Sequence, residues 1–184
     1  MSETTKIEWC DATFNPWQGC KAKSPACAHC YAEAIVKRFG RDFRKRERTS
    51  PENWKAPLKW DRWCRNNGVR KRVFSLSMGD WLDDEVPVEW LADFLEAVRA
   101  TPNLDWLLLT KRPENWRSRI IAASVRMLSE VGEPGDTYSD EGYSFVKEWL
   151  LGNAPSNVWI GTTVEDQARA DERLPELLQI PARV

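Results

Sequence analysis

The chain has 184 residues, with 27 Lys and Arg against 28 Asp and Glu, a formal net charge of −1. Charged residues make up 30% and hydrophobic residues 42%, which excludes a collagen, a coiled coil and a wholly disordered chain, while the near-neutral charge gives no global pull toward nucleic acid. No apolar run approaches the roughly 20 residues of a membrane span, and the polar start Met1-Ser2-Glu3-Thr4-Thr5-Lys6 has no apolar segment behind it, so no membrane association and a cytoplasmic location are expected.

Residues 7–15 are β-prone and end at Asn15-Pro16, a turn signal. A polar loop over 17–30 carries Cys20, Cys27 and Cys30. Residues 31–39 read as a helix, with Ala32, Ile35, Val36 and Phe39 at helical spacing and Gly40 as a stop. The run 41–48 holds Arg41, Arg44, Lys45, Arg46 and Arg48. Such a run can meet phosphate, but Asp42 and Glu47 interrupt it, and a solvated surface helix or loop is the simpler expectation. Ser50-Pro51-Glu52 looks like a new helix start.

Residues 73–78 (Val-Phe-Ser-Leu-Ser-Met) predict a second strand, closed by Gly79-Asp80. Pro87 opens a helix whose apolar face is Trp90, Leu91, Phe94, Leu95 and Val98. The nearly continuous apolar run 104–109 fits a buried parallel strand. Thr110-Lys111-Arg112-Pro113 ends it, and a helix follows to about residue 128. The stretch 131–144 is rich in turn-forming residues and predicts a surface insertion. Val158-Trp159-Ile160-Gly161 is a fourth strand, followed by a helix to about residue 178.

Strand and helix therefore alternate about four times. That pattern predicts an α/β fold with a parallel sheet, a partial (β/α) barrel in one domain spanning 1–184. A full eight-unit barrel typically needs about 250 residues. Ile180-Pro181-Ala182-Arg183-Val184 reads as a helix exit entering another strand, so the expectation is a chain cut from a longer protein, its barrel completed by further chain or by a partner.

The 11 tryptophans could stack on bases, but core packing is their commoner use. Five cysteines is an odd number, and three crowd into the pattern C-x6-C-x2-C at Cys20, Cys27 and Cys30. In a reducing compartment such clustering points to metal or redox chemistry. Two readings stay open. A structural zinc would take a fourth ligand from Cys10, Cys64 or His29. Alternatively, a 4Fe–4S cluster held by three thiolates would keep one iron open, able to bind S-adenosylmethionine and pass an electron to its sulfonium. The position favours chemistry, since the triad follows the first strand of a βα series, the catalytic mouth of barrel folds. With His29 as the single histidine and no phosphate-binding glycine motif, hydrolytic triads and Rossmann cofactors are disfavoured.

Several segments also carry a resemblance. Thr5-Lys6-Ile7-Glu8-Trp9, Asp11-Ala12-Thr13-Phe14-Asn15-Pro16, Gly19-Cys20, Ser24-Pro25 and Cys27 with Cys30-Tyr31-Ala32 look like the opening of a phage- and prophage-associated family. That family is similar to radical S-adenosylmethionine enzymes. Residues 75–82, 107–113 and 159–165 resemble its later strands. Cys10 stands where that family would have Thr, so it is not expected to ligate.

The resemblance implies a 4Fe–4S cluster on Cys20, Cys27 and Cys30, reductive cleavage of S-adenosylmethionine to a 5′-deoxyadenosyl radical, an external electron donor, and hydrogen abstraction from an unidentified substrate. It places Ser77 and Asp80 near the cofactor's amino group, Thr110 and Lys111 near a carboxylate, and Thr163 and Glu165 near the ribose. Each also has a structural reading: Asp80 as a helix cap, Lys111 and Arg112 as surface charge, Glu165 as a first-turn carboxylate. A zinc-stabilised nucleic-acid-binding module using residues 41–48, and an inactive truncated relic, are the competing expectations.

Overall fold

The computed structural model describes residues 5–130 and 138–183. In chain order the elements are β1 (Ala12–Phe14), β2 (Trp17–Gln18), a 3-10 turn over Pro25–His29, α1 (Tyr31–Arg38), β3 (Glu47–Arg48), α2 (Pro51–Trp54), α3 (Ala56–Asn67) and β4 (Lys71–Ser75). Then come α4 (Val88–Arg99), β5 (Leu104–Thr110), a 3-10 turn over Pro113–Asn115, α5 (Trp116–Leu128), α6 (Asp140–Leu150), β6 (Val158–Thr162) and α7 (Gln167–Leu177).

A four-stranded sheet runs β1-β4-β5-β6, and every pair in it is parallel. Spatial order follows chain order, as successive βα crossovers require. The backbone after α7 returns to the free side of β6, where Arg183 pairs in parallel with Trp159 and the Ile160 N–H donates to the Arg183 carbonyl at 2.8 Å. The expected α/β fold with a parallel sheet is thus present, and the barrel is not closed.

Helices form where the sequence supplies an apolar stripe and a start. In α4 the stripe is Leu91, Phe94, Leu95 and Val98, all buried. Ser139 caps α6 by accepting from the Gly142 N–H, and Asp166 caps α7 by accepting from the Arg169 N–H at 2.7 Å. Gly68 ends α3 in the left-handed conformation, φ 65°.

The core lies between the sheet and these helices. Along β5, Leu104, Trp106, Leu108 and Thr110 are buried, whereas Asp105, Leu107 and Leu109 alternate with them and stay half-buried. The run 104–109 thus behaves as a strand covered on one face. Phe14, Phe94 and Trp106 meet edge-on or stacked on the covered face, with centroids 5.6–6.3 Å apart. Each such buried side chain stabilises by about 2 kcal/mol. The other face carries one row across all four strands, Thr13, Phe74, Leu107 and Trp159. Six of the 11 tryptophans, Trp17, Trp60, Trp81, Trp106, Trp116 and Trp149, are buried, as core packing requires.

Several boundaries move. The first strand is Ala12–Phe14 rather than 7–15, and the second is Lys71–Ser75 rather than 73–78. Leu76, at φ 62°, turns the chain out of the sheet. The 17–30 loop is built rather than irregular: Trp17 and Gln18 pair antiparallel with Arg48 and Glu47. Of the expected insertion 131–144, residues 131–137 lie outside the described residues, and Asp140 onward belongs to α6.

Candidate functional site

Because the four strands run the same way, their C-terminal ends share one edge, and a cavity of about 360 Å³ opens there. The thiols of Cys20, Cys27 and Cys30 lie on its wall. Facing them are Ser77 from the β4 exit, Thr110 and Lys111 from the β5 exit, and Thr163 from the β6 exit. Asp80 also reaches the wall; Glu165 does not, but lies just behind Lys111 at 4.0 Å.

Cys20 hangs from two segments at once. Its N–H donates to the Phe43 carbonyl at 2.9 Å, and the preceding Gly19 N–H donates to the Met78 carbonyl at 3.0 Å. Gly19 takes φ +104°, and a Cβ there would sit 2.3 Å from the Lys45 carbonyl oxygen, so only glycine fits. Cys27 stands on the 3-10 turn opened by Pro25, and Cys30 follows that turn at the N-cap position of α1. Tyr31, next in the chain, donates from its hydroxyl to the Ser77 carbonyl and ties α1 to the β4 exit.

Asp80 is buried and accepts from the Thr110 hydroxyl (2.7 Å), the Leu82 N–H (3.1 Å), the Lys111 N–H (2.9 Å) and Arg112 Nη1 (3.1 Å). A carboxylate has about four acceptor sites, so Asp80 is filled from within the protein. It clamps the β5 exit to the β4 exit. Thr110 completes the clamp by accepting from the Arg112 N–H at 2.9 Å.

Arg112 is the residue that sequence reasoning undervalued. It is 5% exposed, not surface charge. Its Nη2 donates to the Lys21 carbonyl at 2.6 Å, and its Nη1 lies 3.7 Å from Cys20 Sγ. Lys111 Nζ lies 3.7 Å from Cys27 Sγ. Lys23 extends the same fastening outward, pairing with Glu114 at 2.6 Å and Glu172 at 3.8 Å. Glu165 accepts from Arg173 Nη1 at 2.9 Å, and the same guanidinium donates to the Thr163 carbonyl at 2.7 Å.

The thiols differ electrostatically. Burial pushes Cys20 up to about 12, Asp80 adding to the effect and Arg112 opposing it. Burial also raises Cys27, but the Lys23 and Ser24 N–H groups and the Lys111 ammonium outweigh it and hold the thiol below its ordinary value. Cys10 and Cys64 are buried in the protein, off the cavity wall. They flank the N-terminal ends of β1 and β4 in the chain. Among the described residues no three His, Cys, Asp or Glu side chains converge closely enough to hold one metal ion.

Three of the five cations in the basic run are paired with carboxylates, while Arg44 and Lys45 are exposed. Arg46 pairs with buried Asp83 at 2.6 Å and with Glu85 at 2.9 Å, Arg48 pairs with Asp93 at 2.6 Å, and Arg41 pairs with Glu47.

The sequence model of a family described as "Protein of unknown function (DUF5131)" matches residues 4–184. The chain belongs to that family. No curated protein and no solved structure matches the DUF5131 chain. Among its described residues no helix is long and apolar enough to cross a membrane.

Proposed function

We propose that the cavity seats a 4Fe–4S cluster on Cys20, Cys27 and Cys30 with S-adenosylmethionine beside it, in a phage-derived radical enzyme acting on a substrate admitted to the same cavity. One observation carries the reading: the three clustered thiols line one cavity at the C-terminal edge of a parallel sheet, while Cys10 and Cys64 are buried elsewhere. The donor set fits. Iron–sulfur clusters take thiolate ligands, and a cluster offers a separate iron to each sulfur. A single tetrahedral zinc, with Zn–S of about 2.3 Å, needs sulfurs roughly 3.8 Å apart. Cys20, Cys27, Cys30 and His29 share the wall without such convergence.

Held by Cys20, Cys27 and Cys30 and reduced by an external electron donor, such a cluster would supply one electron to the sulfonium, breaking a C–S bond to leave methionine and a carbon radical able to abstract hydrogen. This chain's residues do the rest. Ser77, Lys111 and Thr163 present polar groups to the cofactor across from the thiols, while the Thr110 hydroxyl is engaged within the clamp. Asp80 orients Thr110 and Lys111 by accepting from both, and Glu165 helps hold Lys111 in place. The apolar wall of Phe43, Phe74, Leu76 and Leu109 keeps water from the reacting end.

Anaerobic reconstitution with iron and sulfide tests the reading. The expected result is about four irons and four sulfides per chain, with an EPR signal that changes when S-adenosylmethionine is added. One tightly held zinc per chain and no cluster would overturn it.

A further inference from the structure

We infer that Lys111 and Arg112 are redox-positioning residues: each sets one cationic donor against one ligand sulfur, so together they raise the reduction potential of the bound cluster. The inference rests on the cluster reading above and adds the control of its electron affinity.

The geometry is specific. Two successive residues leave one clamp and diverge to two different thiols. Lys111 Nζ lies 3.7 Å from Cys27 Sγ, and Arg112 Nη1 lies 3.7 Å from Cys20 Sγ. Both are within hydrogen-bond reach of sulfur. Cys27 also accepts from the Lys23 N–H at 3.4 Å. Among the described residues, no donor is directed at Cys30 Sγ. The two cations differ in freedom. Arg112 is locked by Asp80 and the Lys21 carbonyl. Lys111 is more exposed and shared with Glu165 at 4.0 Å.

The physics fixes the sign. Reduction adds one electron to the cluster, taking it from the +2 to the +1 state, and makes or breaks no bond in this chain. A nearby cation stabilises the added charge, and a hydrogen bond to a ligand sulfur weakens its donation to iron. Both effects favour the reduced state. A thiolate set without such donors would require a stronger reductant.

The test is the midpoint potential of the reconstituted full chain, measured by EPR-monitored titration with dithionite as electron source. Lys111→Met is the first variant, because Lys111 makes no buried ion pair and its loss leaves the clamp intact. The expected result is wild-type iron content with a more negative midpoint. Glu165→Gln should move the midpoint the opposite way, since it frees Lys111 for Cys27. Arg112→Lys retains the charge but not the fork and should shift negatively by less than Arg112→Gln. A full cluster in Lys111→Met with an unchanged or more positive midpoint overturns the inference and leaves the cluster reading standing. Failure of the wild-type chain to assemble a cluster overturns both.

Discussion

Five cysteines divide between two environments around one parallel sheet, and the division separates packing from chemistry. Cys10 and Cys64 lie near the N-terminal ends of β1 and β4, both buried and Cys64 within the main apolar core, and burial raises both thiols above their ordinary value. There they act as small hydrophobes. Cys20, Cys27 and Cys30 stand past the opposite ends of the strands, half-buried on a cavity wall with cations and backbone N–H groups nearby. One ion pair at each end shows the same contrast. At the N-terminal end Asp11 meets Arg72 in the open, with side chains 40% and 50% exposed, while at the C-terminal end Asp80 meets Arg112 at 5% and 6%. The same residue types thus do different work according to which end of the strands they flank.

The largest expected contrast is in metal content. Replacing Cys20, Cys27 or Cys30 by Ala should reduce bound iron from about four per chain to near zero and remove the visible absorbance. Cys10→Ala and Cys64→Ala should keep the iron and cost only about 1–2 kcal/mol of stability, the loss of a small buried group. Equal loss of iron from Cys64→Ala would erase the contrast.

Asp80→Asn comes next. It strips the counter-charge from a buried guanidinium, a change worth about 3 kcal/mol. Urea denaturation should show that loss, with poorer cluster assembly as the Cys20 loop loosens. A cost below about 1 kcal/mol would mean that Arg112 finds another acceptor and that the clamp is not needed. Gly19→Ala should cost about 2 kcal/mol, because its Cβ meets the Lys45 carbonyl at φ +104°. Gly40→Ala is the matched control: φ is +68°, but nothing lies within 4 Å of the added carbon, so strain alone should cost about 1 kcal/mol. Equal losses would place the tightness at Gly19 in the backbone conformation rather than in the contact.

The βα alternation was readable because periodicity and stop signals are local. Pro87 with the stripe through Val98, and the apolar run 104–109, became α4 and β5 nearly as expected. The thiol triad was readable for the same reason, as spacing within eleven positions. What escaped the sequence was set by distant partners. Trp17–Gln18 and Glu47–Arg48 are strands of two residues each, too short for an alternation to register. Residues 73–78 read as one strand, yet Leu76 turns left-handed while its N–H still donates to the Phe14 carbonyl at 2.9 Å. Arg112 read as surface charge because its burial depends on Asp80, 32 positions away. Arg46 and Arg48 of the basic run likewise find their partners at Asp83, Glu85 and Asp93.

Asp11→Asn gives the smallest effect and the sharpest test of the difference between the two ends. Burial alone would raise the Asp11 carboxyl, but hydrogen bonds from the Arg72 side chain and N–H, at 3.3 and 2.7 Å, outweigh it and hold it below the usual carboxylate range. A depressed folded value means the stabilisation is complete above the unfolded value, about 3.9. It is lost as pH falls through the folded value. In so exposed a site the pair is worth about 0.5 kcal/mol. Asp11→Asn should therefore lose about that much at pH 7, less in high salt, and progressively less as the pH falls through the lowered value of the wild-type carboxyl. Asp80→Asn should be insensitive to salt, since its pair lies out of reach of mobile ions. A loss from Asp11→Asn that acid and high salt leave unchanged would assign its effect to lost backbone bonding rather than to charge, and the two ends would then differ in burial alone.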